Sequence, residues 1–150
     1  MEERIAMDTK ITEMKIADYD EVFALWQDTE GVGLHPDECD SRRGIGRYLA
    51  RNPGLCFVAR DGAKLVGTVL CGTDGRRGYL NHLAVVPGHR REGLGTALVR
   101  RCLAALKEIG IPKCNLFVLA DNKAAIAFWE KLGWCVYEEV GVKAMTLRIE

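Results

Sequence analysis

No apolar run in this chain approaches the roughly 18–20 residues that a membrane-spanning helix needs. Its first residues, MEERIAMDTK, lack the apolar core of a secretory leader. Net charge is absent too, because 21 Lys+Arg balance 21 Asp+Glu. That argues against a generally basic nucleic-acid binder. None of the six cysteines, Cys39, Cys56, Cys71, Cys102, Cys114 and Cys135, lies within four residues of another, so zinc-knuckle spacing is missing. Without a leader, disulfides are not expected, and the thiols read as small core hydrophobes. Repeats, low-complexity tracts and linkers are lacking as well. These absences point to a cytoplasmic protein with no metal, no membrane contact and no nucleic-acid partner.

What remains is 150 residues, 48% hydrophobic and 28% charged, the signature of one globular domain. The first eight residues read as a flexible N-terminus and 9–150 as the domain. The neutral total hides a split. Residues 1–75 hold 9 basic and 14 acidic side chains, whereas residues 76–150 hold 12 and 7. An anion site in the second half would explain the asymmetry, as would chance placement of surface charge.

Periodicity lays out the elements. Lys10–Met14 reads as a strand. Asp18 and Glu21 form a capping-box pattern before a helix with Val22, Leu25 and Trp26 on one face. Glu30–Asp40 is a loop rich in Gly and acids. Ser41 caps a second helix, which stops before Pro53. Strands follow at Leu55–Arg60, Lys64–Cys71 and Tyr79–Val86, the first two joined by the Asp61-Gly62 turn. Gly93–Ile109 is the strongest helix, with Leu94, Leu98, Cys102, Ala105 and Ile109 aligned. Lys113–Leu119 is a strand, Asp121 or Asn122 caps a helix to Leu132, and Trp134–Glu138 and Val142–Ile149 are closing strands. The order β-α-α-β-β-β-α-β-α-β-β predicts an α/β (α+β) fold. Its sheet is mixed, mostly antiparallel and six- to seven-stranded, with about four flanking helices.

The sharpest local feature runs from Pro87 to Thr96, PGHRREGLGT. It joins a strand to the strongest helix. Gly93 and Gly95 leave amides open at the helix start, where the dipole favours an anion. Arg90 and Arg91 add fork-shaped donors. Glu92 is the only acid between Val86 and Arg101. The loop suits a pyrophosphate, yet it lacks a Walker ending and the third glycine of the dinucleotide fingerprint.

Arg90-Arg91-Glu92-Gly93-Leu94-Gly95 resembles the R/Q-x-x-G-x-G/A motif of the GNAT (Gcn5-related) N-acetyltransferases. Asn122-Lys-Ala-Ala125-Ile-Ala-Phe128-Trp129-Glu-Lys131-Leu-Gly133-Trp134 resembles the family's second motif, N-x-x-A-x-x-F-Y-x-K-x-G-F. The strand order agrees, so the resemblance spans nearly the whole chain. It implies a GNAT-like single domain that binds acetyl-CoA and releases CoA. It places the phosphates on Arg90, Arg91, Glu92, Gly93, Leu94, Gly95 and Thr96. The pantetheine then runs beside Leu83, Ala84 and Val85, and Asn122, Ala125, Phe128 and Lys131 line the CoA side. It also allows a homodimer.

Acetyl transfer to an amine needs a neutral amine, a donor for the developing oxyanion and a proton for the leaving thiolate. The resemblance gives the oxyanion to the Leu83 N–H. Where the family often carries a proton-donating Tyr, this chain has Trp129, whose indole is no practical acid. A thiol is a fair leaving group already, so Trp129 is expected to shield the sulfur while solvent protonates it. Many members carry a Glu base near the start of the fourth strand, where Tyr79-Leu-Asn81-His82 stands. His82 has the most suitable ordinary titration range there, and Tyr79 is a second candidate. His35, Asp37 and Glu38 are further candidates on the early loop. The fifth-strand Glu of ribosomal-protein acetyltransferases is replaced by Phe117, which weakens that assignment. The expected activity is direct acetyl transfer to a primary amine of a small molecule or peptide. The alternative is a degenerate CoA-binding sensor.

Overall fold

β-branched and small apolar residues pair five strands into one sheet in the computed structural model, which describes residues 8–136, 143 and 145–149. The strands are β1 (Thr9–Glu13), β2 (Phe57–Asp61), β3 (Lys64–Thr73), β4 (Gly78–Val85) and β5 (Cys114–Asn115). They lie in chain order across the sheet. Neighbours run antiparallel except β4 and β5, which are parallel. The helices are α1 (Tyr19–Gln27), α2 (Arg42–Arg51), α3 (Leu94–Glu108) and α4 (Lys123–Lys131). The chain divides into two compact units, one ending at Phe117 and one from Val118 onward.

In the first unit β3 is buried from Leu65 to Gly72 because both faces of the sheet are covered. That is why its sequence is continuously apolar and does not alternate. On one face Met14, Tyr19, Val22, Trp26 and Ile45 pack with Leu70 and Ala84. On the other, α3 lies so close that a side chain at Gly67 would meet Leu98 and Leu94, and one at Gly78 would overlap Leu106. Each fully buried Leu or Val of these layers contributes about 1.5–3 kcal/mol. Cys56, Cys71 and Cys102 are buried among them as free thiols. Burial pushes the Cys56 thiol up to about 12, so it packs as a hydrophobe and offers no nucleophile.

Several expectations change. The capping box at Asp18 and Glu21 does not form. Asp18 closes a 3-10 turn by accepting from the Lys15 amide at 2.9 Å, and Arg60 reaches from β2 to Asp18 at 2.7 Å and Glu21 at 3.0 Å. Charge-assisted bonds to a guanidinium outcompete a cap. The fifth strand is two residues long where Lys113–Leu119 was expected. Beyond Asn115 the chain leaves β4, and Phe117 is exposed. The sheet has five strands among the described residues, where six to seven were expected. Residues 134–136, 143 and 145–149 carry no strand, while 137–142 and 144 lie outside the described residues. The alternation of Met145, Leu147 and Ile149 reads as a strand, but these side chains are exposed among the described residues.

The loop before α2 is clamped. Ser41 Oγ accepts the Gly44 amide at 3.0 Å, the cap its sequence announces. A Cβ at Gly44 would lie 2.5 Å from the Cys39 carbonyl oxygen and 2.7 Å from that of Glu38. Gly44→Ala is therefore expected to destabilise the fold by about 2 kcal/mol, as overpacking does. Thermal melting should fall by roughly 4–8 °C for a chain of this size. Gly46→Ala, whose Cβ would sit 3.6 Å from Ile16, should hold or raise the melting temperature.

Candidate active site

The Pro87–Thr96 loop closes β4 and opens α3. A 3-10 turn occupies Pro87–His89, and Arg90 donates Nε–H to the Val85 carbonyl at 2.9 Å. Arg91 and Gly93 both take left-handed backbone angles, φ 66° and 79°. Gly93 stands at the N-cap position, and no side chain caps the helix. The first backbone bond into α3 runs from the Ala97 amide to the Gly93 carbonyl at 2.9 Å. The amides of Leu94, Gly95 and Thr96 consequently have no backbone partner among the described residues. A fifteen-residue helix with an open N-terminus fits a pyrophosphate. His89, which the sequence did not single out, ties this loop to the β2–β3 hairpin through Asp61 at 2.9 Å.

β4 is uncovered along much of one side. It meets β5 only at Gly78 and Tyr79, so from Leu80 to Val85 that edge has no strand partner among the described residues. An extended, amide-rich ligand arm can pair there as an added strand does. Leu83, Ala84 and Val85 lie on this stretch.

β4 also carries a bulge. Asn81 and Ala84, three residues apart, oppose Leu70 and Thr68, two apart. One extra residue is accommodated at His82–Leu83, and His82 adopts φ 50°. Strict alternation of Asn81, His82 and Leu83 is thereby lost, a correction to the simple period-two reading. The His82 ring turns to the α1 side and meets Trp26 edge-on at 5.0 Å. Its Nε2 lies 2.8 Å from Asp40 Oδ1, with the two side chains 17% and 5% exposed. The other Asp40 oxygen accepts the His35 amide at 2.9 Å. Tyr19 donates its hydroxyl to the Asp40 carbonyl at 2.6 Å. In the tautomer that donates from Nε2 to Asp40, Nδ1 presents its lone pair. Nδ1 has no partner among the described residues.

Asp40 was not legible as a site residue. Only the folded loop brings residue 40 to residue 82. The side chains of His35, Asp37 and Glu38, the candidates on that loop, are exposed. Four acids of the first half are committed to internal partners: Asp18 and Glu21 to Arg60, Glu13 to the Gly54 amide, Asp61 to His89. Asp40 is the acid that faces His82.

Tyr79 opens onto a cavity of about 410 Å³ between α2 and the β3–β4 ends, shared with Tyr48, Arg51, Asn52, Asp74 and Asn81. In register Tyr79 stands opposite Gly72, three residues before His82. A side chain at Gly72 would overlap the Tyr48 ring and fill this space.

In the second unit, Asn122 accepts the Ala125 amide at 3.1 Å and caps α4. Phe128 and Trp129 meet edge-to-face at 5.0 Å, and Trp129 meets Trp134 at 5.2 Å. Lys131 closes the helix and Gly133 turns the chain at φ 95°. The second motif thus has local structural duties of its own. Among the described residues no three His, Cys, Asp or Glu side chains are arranged to hold a metal ion. No helix there is long and apolar enough to cross a membrane.

An open helix end beside an uncovered strand edge suits a ligand that joins a phosphate group to an amide-rich arm. Comparison with known proteins makes this specific. Residues 19–134 match the acetyltransferase (GNAT) family. An acetyltransferase of Sodalis glossinidius is 37% identical over 123 residues, covering 82% of this chain and 84% of the relative. An acetyltransferase of Yersinia pestis (strain Pestoides F) is 38% identical over 117 residues, covering 78% and 81%. Ard1 from Thermoplasma volcanium superimposes with TM-score 0.76 at 23% identity, covering 87% of this chain and 84% of that one. The PaiA N-acetyltransferase from Thermoplasma acidophilum, solved in complex with coenzyme A, gives 0.72 at 20% identity, covering 84% and 89%. The chain belongs to the GNAT acetyltransferase family and is an acetyl-CoA-dependent acyltransferase.

Proposed function

We propose that this protein transfers the acetyl group of acetyl-CoA directly to a primary amine of a small molecule or peptide, with His82 as general base. Residues 9–150 act as one catalytic domain in this reading. The observation that carries it is the bulge that holds His82 against Asp40, on the strand whose free edge leads to the open end of α3. A structural relative solved with coenzyme A supports the choice of cofactor. Arg90, Arg91 and the amides from Glu92 to Thr96 would hold the phosphates, and the Leu83–Val85 edge would hold the pantetheine. By resemblance to the family's second motif, Asn122, Ala125, Phe128, Trp129 and Lys131 are assigned to CoA binding as well. When bound, acetyl-CoA supplies the activated acyl group.

The chain's own residues then do three things. Asp40 fixes the His82 tautomer, so that Nδ1 accepts a proton from the incoming ammonium. An ammonium with ordinary pKa near 10.4 is only about 0.1% neutral at physiological pH, so this step matters. The Leu83 N–H donates to the carbonyl oxygen as negative charge grows there. Trp129 shields the sulfur, and solvent protonates the departing thiolate, an acid–base step that a thiol's ordinary pKa near 8.5 makes easy.

Trp129→Tyr is accordingly expected to leave turnover within about threefold, because a side-chain acid adds little where solvent already serves. Steady-state kinetics of the variant check this. A rise of more than tenfold would show that a missing acid limits the wild-type enzyme. The sensor reading predicts instead that CoA binds and no amine is ever acetylated.

A further inference from the structure

Resting on the reading above, we propose that the cavity beside Tyr79 receives an acidic group of the acceptor and that Arg51 selects amines carrying a carboxylate far from the reactive nitrogen. The cavity begins at Asn81, the chain neighbour of His82, and extends past Tyr79 to the C-terminal turn of α2. Nearly all its polar groups are already engaged. Asn52 accepts the Thr73 amide at 3.0 Å and donates to the Tyr48 carbonyl at 3.1 Å. Thr73 Oγ1 donates to the Arg77 carbonyl at 2.8 Å and accepts the Gly75 amide at 3.0 Å. Tyr48 and Asn81 bond each other. Asp74 Oδ1 accepts the amides of Arg76 at 2.8 Å and Arg77 at 2.9 Å. Those bonds keep Asp74 ionised, so a bound acid is repelled from the β3–β4 turn and drawn toward α2.

Arg51, like the Tyr79 hydroxyl, is an exception. It lines the same cavity, and among the described residues no carboxylate pairs with it. Its planar fork matches a carboxylate bidentately. Two residues of antiparallel strand separate Tyr79 from Asn81, roughly 7 Å. An α-carboxylate, one carbon from its amine, is shorter than this stretch of β4. A carboxylate several carbons away spans it.

The test compares glycine, ω-aminobutyrate and ω-aminohexanoate with hexylamine as acceptors, in the wild type, Arg51→Gln and Arg43→Gln. Arg43 lies on α2 outside the cavity. The wild type is expected to favour ω-aminohexanoate over hexylamine in kcat/KM by about tenfold or more, the factor a charged hydrogen-bonded pair supplies. That ratio falls to about one in Arg51→Gln and persists in Arg43→Gln. A second arm titrates ω-aminohexanoate into CoA-loaded protein by calorimetry. If no acceptor turns over but this binding weakens about tenfold in Arg51→Gln, the cavity assignment stands and acetyl transfer falls. Equal kcat/KM for ω-aminohexanoate and hexylamine, or a preference that survives Arg51→Gln, would overturn the inference.

Discussion

In His82→Gln, kcat is expected to fall about 10²- to 10³-fold, the range that a positioned general base contributes. Acetyl-CoA affinity should hold, because the cofactor is assigned to the loop before α3 and to backbone groups of β4, which a side-chain substitution keeps. The argument starts from the backbone. The extra residue in β4 forces His82 into a left-handed conformation that a non-glycine residue rarely adopts. Such local strain persists only where surrounding contacts over-determine it. Here they are Trp26 at the ring edge and Asp40 at 2.8 Å. The pH profile gives the sharper readout. A base must be neutral to accept a proton, so wild-type kcat/KM should rise with pH and level off. That limb should vanish in His82→Gln. Asp40→Asn keeps the imidazole but weakens its anchor, so kcat should drop about tenfold with acceptor KM little changed. Wild-type kcat in His82→Gln would remove the histidine from the chemistry.

Gly93→Val is expected to weaken acetyl-CoA binding about 10²-fold, measured as Kd by calorimetry. At φ 79° a side chain costs roughly 1–2 kcal/mol, and a β-branched one more. The loop would relieve this strain by turning away, which redirects the amides of Leu94, Gly95 and Thr96. Losing donors to a charged ligand removes about 1.5–3 kcal/mol, and 1.4 kcal/mol is a tenfold change. The core side of α3, Leu98, Val99, Cys102 and Leu106, is untouched. Melting temperature should therefore drop only a few degrees while affinity collapses. A Kd unchanged by this substitution would mean that the α3 terminus does not hold the cofactor.

The phosphate loop was readable because its chemistry is local. Glycines at a helix start, flanking arginines and a strand before them stand within ten residues. The Ser41 and Asn122 caps were readable for the same reason. The Asp40–His82 pair was not, because 42 residues separate partners that meet only through the fold. The bulge was equally hidden. A period-two reading has no way to place an extra residue, yet that residue decides where His82 points. Arg60 shows the converse. A textual capping box at Asp18 and Glu21 lost to a guanidinium arriving from β2. The closing strands show that apolar alternation, as at Met145, Leu147 and Ile149, states a preference without naming a partner edge.

The most direct measurement is CoA thiol release from acetyl-CoA by the purified protein over a panel of amines and peptides. The account predicts saturable, acceptor-dependent release that His82→Gln suppresses while CoA remains bound. Tight CoA binding with no release for any acceptor would contradict it and leave a CoA-sensing domain in its place.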